Sequence, residues 1–411
     1  MSPAKIDRET SWVSSAVARY RGFEAPEPET LANLSPSRLF DVASRHKAVG
    51  VTQAVLTSGV FGPPNELLTE TWAQEFRKQA ASRRAVQSWI LEEGAAVLEE
   101  FRREGIRALA VKGPALAIQL WGNPHEREFR DLDILVPAEN FVSAVKLMLA
   151  RGFVVSHDSK IHQQAFDSWL KRVMKFRHIA FQKKGLPVFI EIHGRSRESL
   201  STAPFGFDEA WETSVLVQGG GFSCRTLEPG RHALYVLIHG AEHSWCQLHW
   251  VLDSLALLTR FEDLVRTQLA RPIPARYTFL DPQATAAVFT ALLQRLKLGP
   301  IPAYLQELLA NHPDANILGF LAERNFANAG LLMYQIGPNR MHRVVFLHGL
   351  IRGAFRRFFR RVGDFLLPNE VDIQYLSRWN LPYSAYFFLR PIFVALRKLQ
   401  ILLVGKPVET H

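Results

Sequence analysis

Residues 111–136 read VKGPALAIQLWGNPHEREFRDLDILV, and the last six, DLDILV, decide the fold. Their strict alternation predicts a β-strand with Asp131 and Asp133 on one face, while Leu132, Ile134 and Val136 turn to the other face and enter a core. An Asp-x-Asp pair alone commonly marks a solvated strand edge. Two carboxylates side by side repel each other, however, and a hard divalent cation with oxygen ligands relieves that repulsion.

On either side of this strand, IRALAV (residues 106–111) is strand-like, PALAIQLWG (114–122) helical, and AENFVSAVKLMLARG (138–152) a clear amphipathic helix stopped by Gly152. Two further strands are predicted in RHIAFQKK and PVFIEIH, joined as a hairpin through Gly185-Leu186. In the second of these, Glu191 and His193 share a face opposite Val188, Ile190 and Ile192. A third acid is thereby available. Three acids on neighbouring strands suit two-metal phosphoryl transfer, with Asp131, Asp133 and Glu191 as the carboxylates. The predicted class is α+β: a small mixed sheet flanked by helices, with a helical N-terminal segment and a mostly α C-terminal part.

The flanks support that division. From Ser35 to Gly105 apolar residues recur at helical spacing, and HALYVLIHGAEHSWCQLHWVLDSLALLTRF (232–261) is the strongest helical run after residue 230, followed by weaker helices near 283–297, 302–311 and 314–327. The expected organisation is a helical region over 1–104, a catalytic core over 105–225, its chemistry concentrated in 105–198, and a helical region over 226–411. At 411 residues the chain exceeds one ordinary core. With 47% hydrophobic and 21% charged residues it has the composition of a globular protein rather than a disordered one. No fixed-period repeat is present. The N-terminus lacks an apolar run behind a basic head, which points to a cytoplasmic protein. Cys224 and Cys246, the only two cysteines, read as reduced and structural. The apolar stretch AYFFLRPIFVALRKLQILLVG is broken by Arg390, Pro391, Arg397 and Lys398 and makes a poor membrane span.

Residues 111–136 resemble the Lys-Gly, aromatic-Gly, Arg-x-x-x-Asp-x-Asp-x-Leu-Val pattern of the uncharacterised nucleotidyltransferase family within the DNA polymerase β-like superfamily. FIEIHG resembles that family's Glu-x-His segment, LIHGAEHSWCQLHWVLDSLALL its His-rich helix ending in Trp-x-x-Asp, and LPYSAYFFLRP its C-terminal region. The resemblance implies an enzyme that moves a nucleoside monophosphate from a nucleoside triphosphate such as ATP to a hydroxyl or phosphate acceptor. It implies two Mg2+ ions, with Mn2+ as the substitute, held by Asp131 and Asp133, with Glu191 completing the triad or activating the acceptor. Lys112 and Gly113 take the place of the superfamily's Gly-Ser turn, implying nucleotide-phosphate contact through Gly113's loop, with Lys112 either neutralising a phosphate or capping the strand end. Arg127, four residues before the first aspartate, reaches the triphosphate or holds a carboxylate, since an arginine fork suits both. Arg130 reads as a solvent-facing charge.

His239 and His243, four apart on one predicted helix, share a face that Asp253 roughly joins. They read either as an acceptor pocket or as a buried packing set, while His193, sharing Glu191's face, either orients that acid or contacts substrate. The net charge of +10 favours anionic partners without choosing among them. Residues 338–362 carry seven arginines and no acid, interleaved with Phe355, Phe358 and Phe359. They read as a solvated helix face, a nucleic-acid groove or an interfacial helix at the membrane periphery. A small-molecule or peptide acceptor is the favoured expectation; an RNA-directed transferase of toxin type and a non-catalytic nucleotide-binding scaffold are its rivals.

Overall fold

The computed structural model describes residues 6–60, 70–155, 179–194, 204–272 and 280–328, together with Leu389. The arginine-rich segment 338–362 and nearly all of LPYSAYFFLRP lie outside the described residues.

Four helices precede the sheet: α1 (Arg8–Tyr20), α2 (Pro36–Arg45), α3 (Val49–Thr57) and α4 (Glu70–Arg103). The sheet region then runs β1 (Leu109–Val111), α5 (Gly113–Trp121), β2 (Asp131–Val136), α6 (Phe141–Ala150), β3 (Phe153–Val155), β4 (Ile179–Lys183) and β5 (Phe189–Gly194). The five strands lie in the order β1-β2-β5-β4-β3. Strands β2 and β5 are parallel, and the other neighbours are antiparallel. The sheet is therefore mixed, as expected from the order of strands, helices and hairpin, and the protein is α+β. A short helix α7 (Phe207–Glu212) and a separate hairpin of β6 (Val215–Gly219) and β7 (Phe222–Thr226) follow.

The remaining described elements are helical: α8 (Pro229–Glu242), α9 (Leu248–Arg260), α10 (Glu262–Ala270), α11 (Pro282–Leu296), α12 (Ala303–Ala310) and α13 (Ala315–Ala327). Helix α8 begins at Pro229, and the Glu228 carboxylate accepts hydrogen bonds from the amides of Gly230 and Arg231. Two orphan donors of the first turn are satisfied in this way.

Strand β2 divides its side chains between two cores. Leu132, Ile134 and Val136 pack with Ile90, Val97 and Phe101 of α4 and with Phe141, Val145 and Met148 of α6. Leu135 joins the other core, which β1 shares through Leu109 and Val111 and to which α8 and α9 contribute Leu234, Tyr235, Ile238 and Trp250. The face that carries Asp131 and Asp133 is thus the one turned towards the C-terminal helices. Because successive strand residues alternate, a polar pair on that face is held between two apolar layers.

One predicted element is corrected. Residues 232–261 form two helices rather than one, because the chain turns through Ser244 and Trp245, both at positive φ (55° and 43°). The Trp245 amide donates to the Gly240 carbonyl at 2.7 Å, and its indole lies so close that a Cβ on Gly240 would sit 2.3 Å from Nε1. Only glycine admits that approach. Asp253 consequently belongs to α9, while His239 and His243 lie on α8 and its C-cap. Asp253 therefore does not share a helix face with His239 and His243, whose rings remain neighbours with centroids 4.8 Å apart.

The two cysteines are buried and not joined by a disulfide. Among the described residues, no helix is long and apolar enough to cross a membrane.

Candidate active site

Parallel pairing sets Asp133 directly beside Glu191, with Asp131 opposite Phe189 and Leu135 opposite His193. Alternation then turns Asp131, Asp133, Glu191 and His193 to one face. Ligand atoms of Asp133, Glu191 and His193 all lie within 4.8 Å of one another. His193 Nε2 is 2.9 Å from Asp133 Oδ1 and 3.5 Å from Glu191 Oε2. Asp131 lies two residues before Asp133 on the same face, but the converging trio takes His193 in its place.

From β1, Lys112 reaches the same carboxylate: its Nζ is 2.8 Å from Asp133 Oδ1. Beside its two expected roles, the geometry adds a third, pairing with Asp133. Lys112 holds φ 54° and ψ −148°, a region comfortable only for glycine, and such a residue costs about 1–3 kcal/mol. The next residue, Gly113, also has positive φ (35°), and a Cβ there would come within 3.3 Å of the Asp131 carbonyl oxygen. The turn therefore presses directly on β2.

Electrostatics follow from this crowding. Burial works against the charge on Asp133, but Lys112 and His193 outweigh it and hold the carboxyl below its ordinary range. Burial likewise opposes the charge on His193, yet hydrogen bonds to Asp133 and Glu191 raise it to about 9. The Lys112 ammonium is similarly kept charged against burial by Asp133 and its neighbours. Asp131 goes the other way: burial, then the charges of Asp133 and Glu191, raise it to about 6 despite Lys47 and Lys112. Burial is thus the main obstacle to the charge on Asp131, with the two neighbouring carboxylates adding to it.

Arg127 holds a carboxylate. Its Nε donates to Asp253 Oδ2 at 2.7 Å, both side chains are buried, and the pair ties the approach to β2 to helix α9. Half-buried His239 and His243 stand with Trp250 in a ring cluster, the His243 ring stacked on Trp250 with centroids 4.7 Å apart. Tyr235, on the same helix as His239, lies under the Lys112 ammonium at 5.9 Å. Burial first, then the Lys112 charge, keeps the His239 imidazole neutral well below its usual range. The His239 ring is thus stacked on Tyr235, which lies under the Lys112 ammonium, whereas Asp253 is committed to Arg127.

Two residues here were not legible in the sequence. Lys47 follows α2 at positive φ (50°), in a loop clamped on both sides. On one side the Val49 amide donates to Glu128 Oε2 at 3.2 Å, and Glu128 also pairs with Arg83. On the other, the Leu248 amide donates to His46 Nδ1 at 3.1 Å. The half-buried Lys47 makes no ion pair within 4 Å among the described residues, and burial lowers its pKa while Asp131 is foremost among the groups that oppose this. The second residue is His232, fully buried on α8, whose Nε2 lies 3.2 Å from the Lys112 amide nitrogen. A lysine after a short helix and a histidine inside an apolar run carry no local signal.

His46 and His232 are both pushed to about 3, in each case by burial first and then by neighbouring cations. A histidine whose folded pKa lies below its unfolded one stabilises the fold above about pH 6.5, and that contribution drains away as pH falls towards 3. Stability is expected to drop by about 1.4 kcal/mol per pH unit for each of the two between pH 6 and 4. Denaturant titrations at pH 7.5, 6 and 5 check this, and His46→Gln should flatten the slope.

The chain belongs to a family of uncharacterised nucleotidyltransferases, whose model matches residues 33–292. Membership makes it a transferase enzyme with a nucleoside triphosphate as substrate. No curated protein matches the chain.

Proposed function

We propose that this chain is a divalent-metal-dependent nucleotidyltransferase that moves a nucleoside monophosphate to a hydroxyl or phosphate group of a small molecule or peptide. The observation that carries the reading is the convergence of Asp133, Glu191 and His193 on one sheet face beside Lys112. The donor set fits Mg2+ or Mn2+: two carboxylates and an imidazole converge, and Asp131 adds a charge that its surroundings leave poorly neutralised. Asp131, Asp133 and Glu191 would hold the ions, with His193 as a further donor or as the group that orients Glu191. Bound ions of this type supply charge neutralisation at the triphosphate and at the attacking and leaving oxygens.

The chain's own groups account for the remaining steps. The acceptor oxygen forms a bond to the α-phosphorus as the bond to the bridging oxygen breaks, and pyrophosphate leaves. Glu191 or Asp133 takes the acceptor proton, each being within reach of the same small volume. Lys112 limits the repulsion between the carboxylates and the incoming phosphates. Gly113's loop offers backbone donors, although the Lys112 amide is already given to His232. The half-buried His239 and His243 beside Trp250 provide an acceptor-side wall of rings.

Lys47 fits a polyphosphate contact at the Asp131 end, where it is a cation without an ion-pair partner among the described residues. Lys47→Gln is expected to raise the KM for the triphosphate about 10- to 100-fold, the scale of one charge-assisted hydrogen bond, with a smaller change in kcat. Steady-state kinetics at varied nucleotide concentration measure it.

The reading itself is tested by incubating purified protein with each α-labelled nucleoside triphosphate, Mg2+ or Mn2+ and a fractionated extract. Metal-dependent label on a small molecule or peptide, with release of pyrophosphate, supports it. Label on RNA moves the acceptor to nucleic acid, and absence of label with every nucleotide overturns the proposal.

A further inference from the structure

Lys112 adopts a backbone conformation that a lysine does not adopt unaided, and the contact that accompanies it is unusual. Its amide N–H donates to His232 Nε2 at 3.2 Å. An amide can only donate, so Nε2 carries no hydrogen and the ring proton sits on Nδ1. That proton is donated to Gln119 Oε1, 2.8 Å away, and Gln119 Nε2 donates to the Leu227 carbonyl at 2.9 Å. Donor and acceptor roles therefore agree along the whole chain from Lys112 to Leu227. Its far end is firm, because Leu227 is fully buried and Glu228 caps the helix that bears His232. At its near end, Lys112 Nζ rests 2.8 Å from Asp133 Oδ1.

We infer that His232 is a positioning residue for nucleotidyl transfer: by accepting the Lys112 amide it fixes the strained turn that sets the lysine ammonium on Asp133. This rests on the reading of Asp133 as part of the reaction centre. Without the acceptor, the Lys112 amide loses its partner and only the carbonyl, which accepts from the Leu116 amide at 2.9 Å, and the Asp133 ion pair still hold the turn; rotation of that backbone towards an ordinary conformation swings the side chain away from the carboxylate. The ring remains neutral across the range in which enzymes work, since burial, with Arg127 and Lys112 nearby, pushes it to about 3. The positioning is therefore constant with pH.

The test pairs His232→Phe, which fills the site without an acceptor, with His232→Gln, whose side-chain oxygen can accept from the Lys112 amide. His232→Phe is expected to lower kcat about 100-fold, the scale of a misplaced reacting group, with a smaller change in nucleotide KM, and His232→Gln to recover most of the loss. In a Lys112→Met background, His232→Phe should add no further loss, because the histidine acts through the lysine. A purely structural role predicts equal losses from His232→Phe in both backgrounds, and that result would overturn the inference. Ring nitrogen NMR of the unsubstituted full chain provides an arm independent of turnover and of variant folding. It should show His232 as the Nδ1–H tautomer from pH 5 to 8, with the Lys112 amide protected from exchange; the opposite tautomer overturns the proposal. If the parent protein transfers no nucleotide at all, the functional reading fails, while the NMR arm still decides whether the contact exists.

Discussion

Asp133→Asn is expected to reduce nucleotide transfer by about 10³- to 10⁴-fold, the scale on which removal of a transition-state group is felt, while far-ultraviolet circular dichroism stays unchanged. The size follows from the number of tasks that one carboxylate performs. Asp133 is 2% exposed, contacts Lys112 and His193 through the same Oδ1, and faces Glu191 across the parallel pair. Asparagine preserves the volume but removes the charge that balances both cations. Lys112 would then stand as a partly buried positive group beside a neutral amide, His193 would lose the partner that most raises it, and a divalent ion would lose one of its carboxylate ligands. Mn2+ affinity, followed by the relaxation of water protons, should fall with the activity. Asp131→Asn should also lose transfer, but in the metal-free protein it should raise the melting temperature. Asp131 is raised to about 6, above its unfolded value, so its ionised form opposes folding at pH 7.5 and the opposition is relieved as pH falls through 6. Near-parental turnover in Asp133→Asn would remove the carboxylate from the reaction centre.

The strand carrying these acids was readable because alternation is local. DLDILV announces both its conformation and its two faces, and the buried Leu132, Ile134 and Val136 fulfil that pattern. FIEIHG likewise shows that Glu191 and His193 share a face. What alternation does not contain is register between strands, because any shift by two residues preserves every face. The pairing of Asp133 with Glu191, and with it the entry of His193 into the converging trio, is a tertiary outcome. The break between α8 and α9 was hidden for a different reason. Neither Ser244 nor Trp245 favours positive φ, and the apolar pattern continues through them; Gly240 alone hinted at the close approach of an indole. Lys47 and His232 gain their roles entirely from packing, through a loop clamped by Glu128 and Leu248 and through contact with the turn that follows β1.

Arg127→Met is expected to destabilise the protein by about 3–5 kcal/mol, because it leaves the Asp253 carboxylate buried without its partner. Asp253 is 1% exposed and Arg127 8%, and they meet at 2.7 Å across the boundary between the sheet and helix α9. Even with the arginine present, burial raises the Asp253 pKa against the pull of Arg127. Removing the cation raises it further. A carboxyl raised above its unfolded value weakens folding when ionised, and the weakening fades as pH falls through the folded pKa. The gap in melting temperature between Arg127→Met and the parent should therefore narrow between pH 7.5 and 5. Arg127→Met combined with Asp253→Leu should recover most of the stability, since an apolar pair of similar volume carries no desolvation cost. Thermal melts of the four proteins in the double-mutant cycle measure the coupling, which should exceed about 1 kcal/mol for a buried pair in direct contact. The same four proteins separate the two expected roles of this arginine. If the double variant regains stability and transfer together, Arg127 acts by holding Asp253. If stability returns while the KM for the triphosphate stays high, the guanidinium also meets the phosphates, by way of nitrogens that the Asp253 contact through Nε leaves available.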